Sequence, residues 1–181
     1  MKKSDQTREK LLHAGQAAFW SKGYSNTSLR EIAQDAGVDV ALVARYFGGK
    51  RGLFSAALDA GVSWPELVAD GADPVEVVIA KYANPATDDA EASAMQLVVA
   101  NANDPEVGGE VRQILQERIF APMQKRLGPD KTVNLALFVS AILGASMARR
   151  CLQLPGMVDA TPDEYAAQLR HMTAAALGFP D

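Results

Sequence analysis

Two short helical patterns joined at one glycine, between Ser28 and Phe47, constrain the fold of this chain more than any other feature. Ser28 and Glu31 have the spacing of a capping box, in which the two side chains satisfy free N–H groups at a helix start. Gly37 permits a tight turn, and Asp39 can cap a second short helix. The apolar residues have the spacing of a shared core: Leu29, Ile32, Ala33, Ala36, Val38, Leu42, Val43 and Phe47. The pattern predicts a helix-turn-helix.

Helical periodicity continues through the rest of the chain, interrupted by glycines and prolines. A first helix is predicted from about Asp5 to Lys22, and a fourth follows from Lys50 to about Ala60. Five further helices are predicted over residues 73–83, 87–101, 105–126, 131–154 and 161–177. No stretch has the alternation of a β-strand. The predicted fold class is therefore all-α, with about nine helices.

Charge is divided unevenly along the chain, whose net charge is −4. Residues 1–54 carry nine Lys and Arg against five Asp and Glu, whereas residues 55–181 carry nine against seventeen. This asymmetry is expected where only one part of a protein meets phosphate, although chance variation over a short segment gives the same result. We therefore predict a helix-turn-helix domain over residues 1–54 and a helical domain over residues 55–181.

The sequence holds no recognisable catalytic or metal-binding motif. Its single cysteine, Cys151, cannot form a disulfide within the chain, and the two histidines, His13 and His171, lie far apart. We expect no enzymatic activity, no metal and no cofactor. The longest apolar stretch, Leu135 to Ala148, is shorter than the ~18–20 residues that cross a bilayer, so we expect a cytoplasmic protein without membrane contact.

Many residues of the first 54 fall at the spacings of a known family. The matching landmarks are Thr7-Arg8, Leu11-Leu12, Ala17-Ala18-Phe19, Gly23-Tyr24, Thr27-Ser28, Ile32-Ala33, Ala36-Gly37-Val38, Tyr46-Phe47, Lys50 and Leu53. Over about 50 residues the chain resembles the tetracycline-repressor (TetR) family of transcriptional regulators. The resemblance implies an N-terminal three-helix DNA-binding domain and a helical domain that binds an effector and dimerises. It also implies a repressor that binds a palindromic operator as a homodimer and is released by a small molecule.

The resemblance assigns the contacts with double-stranded DNA to Thr27, Ser28, Val40, Ala41, Arg45, Tyr46 and Lys50. Thr27 and Ser28, at a helix start, would donate to phosphate. Tyr46 and Lys50 match positions that contact the DNA backbone in relatives. Arg45 is the candidate for bidentate guanine recognition, with a phosphate contact or a plain surface role as alternatives. Val40 and Ala41 offer only apolar contact, for instance to thymine methyl groups.

Two residues depart from the family's pattern. Asp39 stands where relatives often have Ser or Thr at the recognition-helix cap, and its carboxylate repels nearby phosphate. Ala44 stands where an aromatic residue often precedes the arginine, which removes one possible DNA contact. An alternative function is therefore a sensor or protein-interaction module that kept the fold and lost DNA binding.

Small side chains recur every four residues in the predicted helix 131–154, and such a strip lets another helix approach closely. The predicted dimer interface consists of Leu137, Ser140, Ala141, Gly144, Ala145 and Ala148. The helix predicted over residues 161–177 would complete a four-helix interface. Packing of the strip inside one subunit is the alternative.

Large apolar residues of the second domain are the candidates for an effector pocket, and the expected effector is largely apolar. The candidate residues are Trp64, Met95, Val99, Phe120, Phe138 and Met147, together with Arg149. Arg149 or Arg150 can pair with an acidic ligand or bridge to a carboxylate across the interface. For the apolar candidates, the alternative is an ordinary place in the core.

Overall fold

A computed structural model describes residues 3–62, 71, 73–83 and 96–178 of the chain. Within those ranges the regular structure is helical. The helices are α1 (Lys3–Lys22), α2 (Leu29–Asp35), α3 (Ala41–Phe47), α4 (Lys50–Val62), α5 (Pro74–Ala83), α6 (Gly108–Leu115), α7 (Ala121–Leu127), α8 (Thr132–Arg150) and α9 (Pro162–Leu177). Residues 96–101 are also helical, and a π-helical turn, Gln116–Phe120, separates α6 from α7. The all-α prediction is confirmed.

The chain divides into two compact units, of which the first comprises Met1–Ser63 and Ser93–Leu115. Its core contains a cluster of three aromatic rings. The centroids of Phe19 and Phe54 lie 5.2 Å apart, as do those of Tyr24 and Phe54, and the contacts are edge-to-face. Gly15 lets α1 approach α4 closely, because a Cβ there would lie 3.1 Å from the Leu53 side chain. The first unit is thus built on dense packing of α1 against α4.

The second unit comprises Trp64–Ala92 and Gln116–Asp181, and its described helices α5, α8 and α9 pack together. The buried face of α8 consists of Leu135, Phe138, Ile142, Ala145 and Ser146. Thr161 and Glu164 form a capping box at the start of α9. Arg170 of α9 donates to both carboxylate oxygens of Glu76 in α5, at 2.8 Å. This fork-like ion pair lowers the pKa of Glu76 and fixes the register of the two helices.

Three predicted helices differ from those in the structure. The helix predicted over 131–154 ends at Arg150, because the N–H of Leu152 turns back to the Met147 carbonyl and Gln153 takes a φ of 48°. The helix predicted over 105–126 is interrupted by the π-helical turn. Of the helix predicted over 87–101, only residues 96–101 lie within the described ranges.

One helix among the described residues, Pro129–Arg150, is long and apolar enough to cross a membrane by length and composition. This helix is longer than the apolar stretch Leu135 to Ala148 that the sequence indicates. The core helix of a soluble protein can have the same length and composition. Only 28% of the 18-residue apolar stretch in this helix is buried within the chain, however. Much of the surface of this helix is therefore exposed in the single chain.

Candidate nucleic-acid interface

Local capping determines where α2 and α3 begin and end. The Ser28 hydroxyl accepts the Glu31 N–H at 3.2 Å, and Glu31 accepts the Ser28 N–H at 3.1 Å. The hydrogen bond from the Ser28 N–H lowers the pKa of Glu31, and hydrogen bonds to its carboxylate from the Ser28 hydroxyl and the Lys22 ammonium lower it further. Val40 occupies the N-cap position of α3 and makes no side-chain cap bond, but Asp39, one residue earlier, accepts the Ala41 N–H with Oδ1 at 2.7 Å. Gly48 ends α3 with a φ of 74°, which favours glycine.

Helix α3 has one buried side and one that faces solvent. Val43 is fully buried in the first unit, whereas Ala41, Ala44 and Arg45 are exposed and Val40 is 39% exposed. The Arg45 guanidinium lies 5.9 Å from the Tyr46 ring, and it makes no salt bridge with any residue that the structure describes. The candidate base-reading side chains Val40, Ala41 and Arg45 are thus available on one helix face.

Lys50, the first residue of α4, lies half-buried beside the aromatic cluster. Its ammonium nitrogen is 4.3 Å from the centroid of the Tyr24 ring, a cation–π distance. Burial raises the pKa of Tyr24, and the nearby carboxylate of Glu106 adds to this. Sequence reasoning treated Tyr24 only as a family landmark and missed its role as the platform for Lys50. An aromatic residue just after a helix-ending glycine was the available signal.

The two candidate phosphate contacts before α2 differ in their surroundings. Thr27 is only 4% exposed, and its hydroxyl lies 2.7 Å from the Gly23 carbonyl oxygen, to which it donates. The structure therefore places Thr27 inside the fold, contrary to its predicted role, because this hydroxyl closes the turn after α1. Ser28 is exposed, and its hydroxyl oxygen accepts the Glu31 N–H. Tyr46 is half-buried.

The candidate dimer residues on α8 fall into two groups. Leu137 is 53% exposed, Ser140 and Gly144 are exposed, and Ala141 and Ala148 are half-buried. Ala145, in contrast, belongs to the buried face of α8, so its prediction as an interface residue is not matched by its position. Val133, 72% exposed, extends the stripe toward the start of the helix. The stripe formed by Val133, Leu137, Ser140 and Gly144 is called the α8 stripe below.

The candidate effector residues that the structure describes are divided between the two units. Trp64 and Met95 lie outside the described residues. Val99 is exposed and belongs to the first unit, whereas Phe120 and Phe138 belong to the second. Phe138 is buried, and Phe120 and Met147 are half-buried.

Arg149 is engaged inside the second unit. Its guanidinium carbon lies 4.3 Å from the centroid of the Tyr165 ring, and Nη2 donates to the Ala160 carbonyl at 3.3 Å. A cleft of about 570 Å³ lies close by, lined by Ala145, Met157, Glu164, Tyr165, Leu169 and Met172 among others. None of the predicted effector residues lines this cleft. Among the described residues no cluster of three or more His, Cys, Asp or Glu side chains is placed to hold a metal.

Two families match this chain. Residues 11–57 match the family described as bacterial regulatory proteins, tetR family. Residues 75–176, more than half of the chain, match the tetracyclin repressor-like C-terminal domain. The first match covers the whole of α2 and α3 together with Lys50.

Individual proteins are similar in part or in fold. The probable HTH-type transcriptional regulator YttP of Bacillus subtilis is 47% identical over 47 residues, which cover 26% of this chain and 23% of that protein. NalD of Pseudomonas aeruginosa, the secondary repressor of the MexAB-OprM multidrug efflux pump, superposes with a TM-score of 0.70 at 20% identity, covering 96% and 97% of the two chains. Salmonella enterica GusR superposes with a TM-score of 0.68 at 16% identity, covering 98% of each. At these identities the structural likeness concerns the fold alone.

Proposed function

The chain belongs to the tetR family of bacterial regulatory proteins, and from this premise we propose that it represses transcription by binding a palindromic operator as a homodimer. Binding of a small, largely apolar effector releases the DNA. The protein acts in the cytoplasm, where its operator is. The single observation that carries this proposal is the solvent-facing side of α3, where Arg45 projects without a salt bridge among the described residues.

The exposed face of α3 suits the major groove, which admits one helix. Arg45 reads guanine through its forked guanidinium, and Val40 and Ala41 pack against thymine methyl groups beside it. Lys50, Tyr46 and the Ser28 hydroxyl contact the phosphates on either side. Phosphate contacts fix the position of the helix, whereas Arg45 supplies most of the sequence preference. Thr27 is left out of this interface because its hydroxyl is buried.

Two subunits join through the α8 stripe. Val133 and Leu137 present apolar surface to solvent, and the small residues Ser140 and Gly144 leave room for another helix. Because α9 packs along α8, the pair forms half of a four-helix interface, with Met172 exposed on α9. A symmetric dimer presents two copies of α3, which must lie about one DNA turn apart, ~34–36 Å, to read an inverted repeat.

Effector binding releases DNA by favouring a dimer in which the two copies of α3 are spaced differently. The large apolar residues Phe120, Phe138 and Met147 of the second unit remain the proposed pocket lining. Trp64 and Met95 are proposed with them from the sequence alone. Arg149, already stacked on Tyr165, is better placed as a structural residue than as a partner of an acidic effector.

A second candidate function is a sensor of the same fold that no longer binds DNA. The exposed carboxylate of Asp39 favours it, because this charge lies at the start of the helix that would enter the groove. The exposed methyl group of Ala44 likewise contributes no polar contact. Measurement of DNA binding decides between the two functions.

The proposed function is tested by a mobility-shift assay with DNA taken from immediately upstream of the chain's own gene. Titrations at several salt concentrations, with a scrambled duplex of equal composition as control, separate specific from non-specific affinity. We expect a preference for an inverted repeat whose half-site centres are ~10 base pairs apart. Equal affinity for both duplexes at every salt concentration, in this and in a random-sequence selection, supports the sensor function instead.

Replacing Arg45 by alanine is expected to weaken operator binding about 5- to 150-fold, the effect of losing one bidentate base contact worth ~1–3 kcal/mol. Binding to non-specific DNA should change far less. The measurement is operator affinity with each base pair of the half-site varied in turn, since discrimination should relax at one position. Arg45→Lys serves as the matched control that keeps the charge and removes the fork. If discrimination is retained at every position, Arg45 does not read a base.

Replacing Lys50 by alanine is expected to weaken binding to all DNA sequences about equally. The lost phosphate contact should also lower the slope of log affinity against log salt by about one for each subunit. Lys125→Ala, on α7 in the other unit, is the control that removes the same charge from a residue with no proposed DNA contact. A salt dependence equal to that of the unchanged protein argues against a phosphate contact by Lys50.

A further inference from the structure

The connector between α1 and α2, residues 23–27, is held by a buried asparagine far along the chain. Asn101 is fully buried, and its Oδ1 accepts the Tyr24 N–H at 2.6 Å. Its Nδ2 donates to the Phe19 carbonyl at 3.2 Å and to the Leu97 carbonyl at 2.8 Å. One side chain thus joins the end of α1, the connector and the helix 96–101. Because a buried amide left without partners costs ~1–3 kcal/mol, Asn101 resists movement of the connector.

Asp104 holds the next residue of the same connector. Its Oδ2 accepts the Ser25 hydroxyl at 2.6 Å and the Ser25 N–H at 3.2 Å. Its Oδ1 accepts the N–H groups of Glu106 and Val107 at 2.9 and 3.2 Å. Burial alone would raise the pKa of Asp104, but the four hydrogen bonds together lower it, so the carboxylate is charged at neutral pH. Oδ2 is therefore bonded to the connector, and Oδ1 is bonded to the turn that precedes α6.

The connector carries Tyr24, on which Lys50 rests. The Tyr24 ring lies against Phe54 and Phe19, with centroids 5.2 and 5.9 Å away. The Lys50 ammonium lies 4.3 Å from the centroid of the same ring. The position of Lys50 therefore depends on a ring whose backbone N–H is bonded to Asn101.

We propose that Asn101 and Asp104 are positioning residues for DNA binding, which hold the 23–27 connector so that Tyr24 sets the Lys50 ammonium against the DNA backbone. The inference rests on the proposed function and extends it to residues outside the helix-turn-helix pattern. Asn101 and Asp104 do not touch DNA in this scheme. They act through Tyr24 and Lys50, which belong to the same compact unit.

The test uses two variants of increasing severity. Ser25→Ala removes the exposed side-chain contact with Asp104 and leaves the bonds between Asp104 and the turn before α6 intact. Asp104→Ala removes the bonds to Ser25 and also those to the turn before α6. Asn103→Ala, which removes the neighbouring exposed amide, is the matched control. Operator affinity and its salt dependence are measured for each variant, alone and in the Lys50→Ala background, with the thermal midpoint measured in parallel.

We expect Asp104→Ala to weaken operator binding about fivefold and to lower the salt slope by about one per subunit. Ser25→Ala should have a smaller effect of the same kind, and Asn103→Ala none. In the Lys50→Ala background the further loss should disappear, because the two residues act through the same contact. A full additive loss, or a lower thermal midpoint with unchanged affinity and salt slope, overturns the inference and leaves Asp104 with a structural role.

A measurement without DNA separates this inference from the proposed function. The Tyr24 ring should shift the NMR signals of the Lys50 ε-protons upfield in the unchanged protein, and Asp104→Ala should move them toward their free values. If the shift persists in the variant, the positioning role fails even where DNA binding is specific. If the shift is lost but no duplex is preferred, Lys50 is positioned as proposed and it is the DNA-binding function that fails.

Discussion

Replacing Leu137 by glutamate is expected to convert the dimer into monomers and to weaken operator binding at least about 100-fold. Leu137 lies at the middle of the α8 stripe and is 53% exposed in the single chain. In a dimer its side chain would be buried, where an unpaired carboxylate is strongly unfavourable. Operator affinity falls because a monomer contacts only one half-site. Linking two binding sites typically raises affinity by about 10²–10⁴, and a monomer loses this gain.

The oligomeric state is measured by light scattering after size-exclusion chromatography, and operator affinity by mobility shift. Leu137→Met is the matched control, since it preserves an apolar side chain of similar volume and should leave both quantities nearly unchanged. Folding of the variant subunit is checked by circular dichroism, because Leu137 belongs to the exposed rather than the buried face of α8. A Leu137→Glu protein that remains dimeric shows that the stripe is not the interface.

Gly144 offers a sharper version of the same experiment. A Cβ added at Gly144 meets nothing within 4 Å in the single chain, so Gly144→Ala should stabilise the isolated helix by up to ~1 kcal/mol. In a dimer with closely approaching helices, the added methyl group should weaken association instead. Gly109→Ala in α6 is the control, since a Cβ at Gly109 also meets nothing within 4 Å and Gly109 belongs to a different helix. Equal behaviour of the two variants contradicts a close crossing at Gly144.

The helix-turn-helix could be predicted from the sequence because its signals are local. The Ser28 capping box, the bond from the Ala41 N–H to Asp39 and the glycine at the end of α3 each act within four residues, and all are present in the structure. Which side of each short helix is buried also follows from spacing alone. Thr27 was misplaced because both a phosphate contact and a turn-closing hydroxyl suit a threonine before a helix.

The contacts that cross long distances in sequence could not be predicted. Asn101 bonds Tyr24 across 77 residues, and Glu110 bonds the Ser55 hydroxyl across 55. The periodic spacing of apolar residues does not show which distant polar residues form such a pair. The segment 93–115 therefore belongs to the first compact unit. The domain boundary predicted from the sequence lies after residue 54, and as a functional boundary it stays a prediction. Ala145 was placed in the predicted dimer interface because small residues alone do not show which helix face is buried.

The junction between α3 and α4 is expected to tolerate no side chain at Gly52. A Cβ at this position would overlap the carbonyl oxygen of Phe47, the last residue of α3. The atoms that the Cβ would meet belong to the backbone of Phe47, so no side-chain rotation can relieve the overlap. The two helices must therefore move apart. We expect Gly52→Ala to lower the free energy of unfolding by ~3 kcal/mol or more, at the upper end of overpacking effects. For a chain of this length that is a fall of about 6–12 °C in the thermal midpoint.

The same change should impair DNA binding in the molecules that stay folded. Arg45 lies two residues before Phe47, and Lys50 lies two residues before Gly52, so a displaced junction moves the base-reading and phosphate-binding side chains apart. Operator affinity measured ~20 °C below the variant's midpoint should therefore remain reduced, whereas Gly109→Ala should keep full affinity with an equal or higher midpoint. A Gly52→Ala protein with unaltered midpoint and affinity would mean that α3 and α4 meet less closely than this geometry requires. A lowered midpoint with full affinity would instead mean that the junction supports the fold but does not fix the spacing of Arg45 and Lys50.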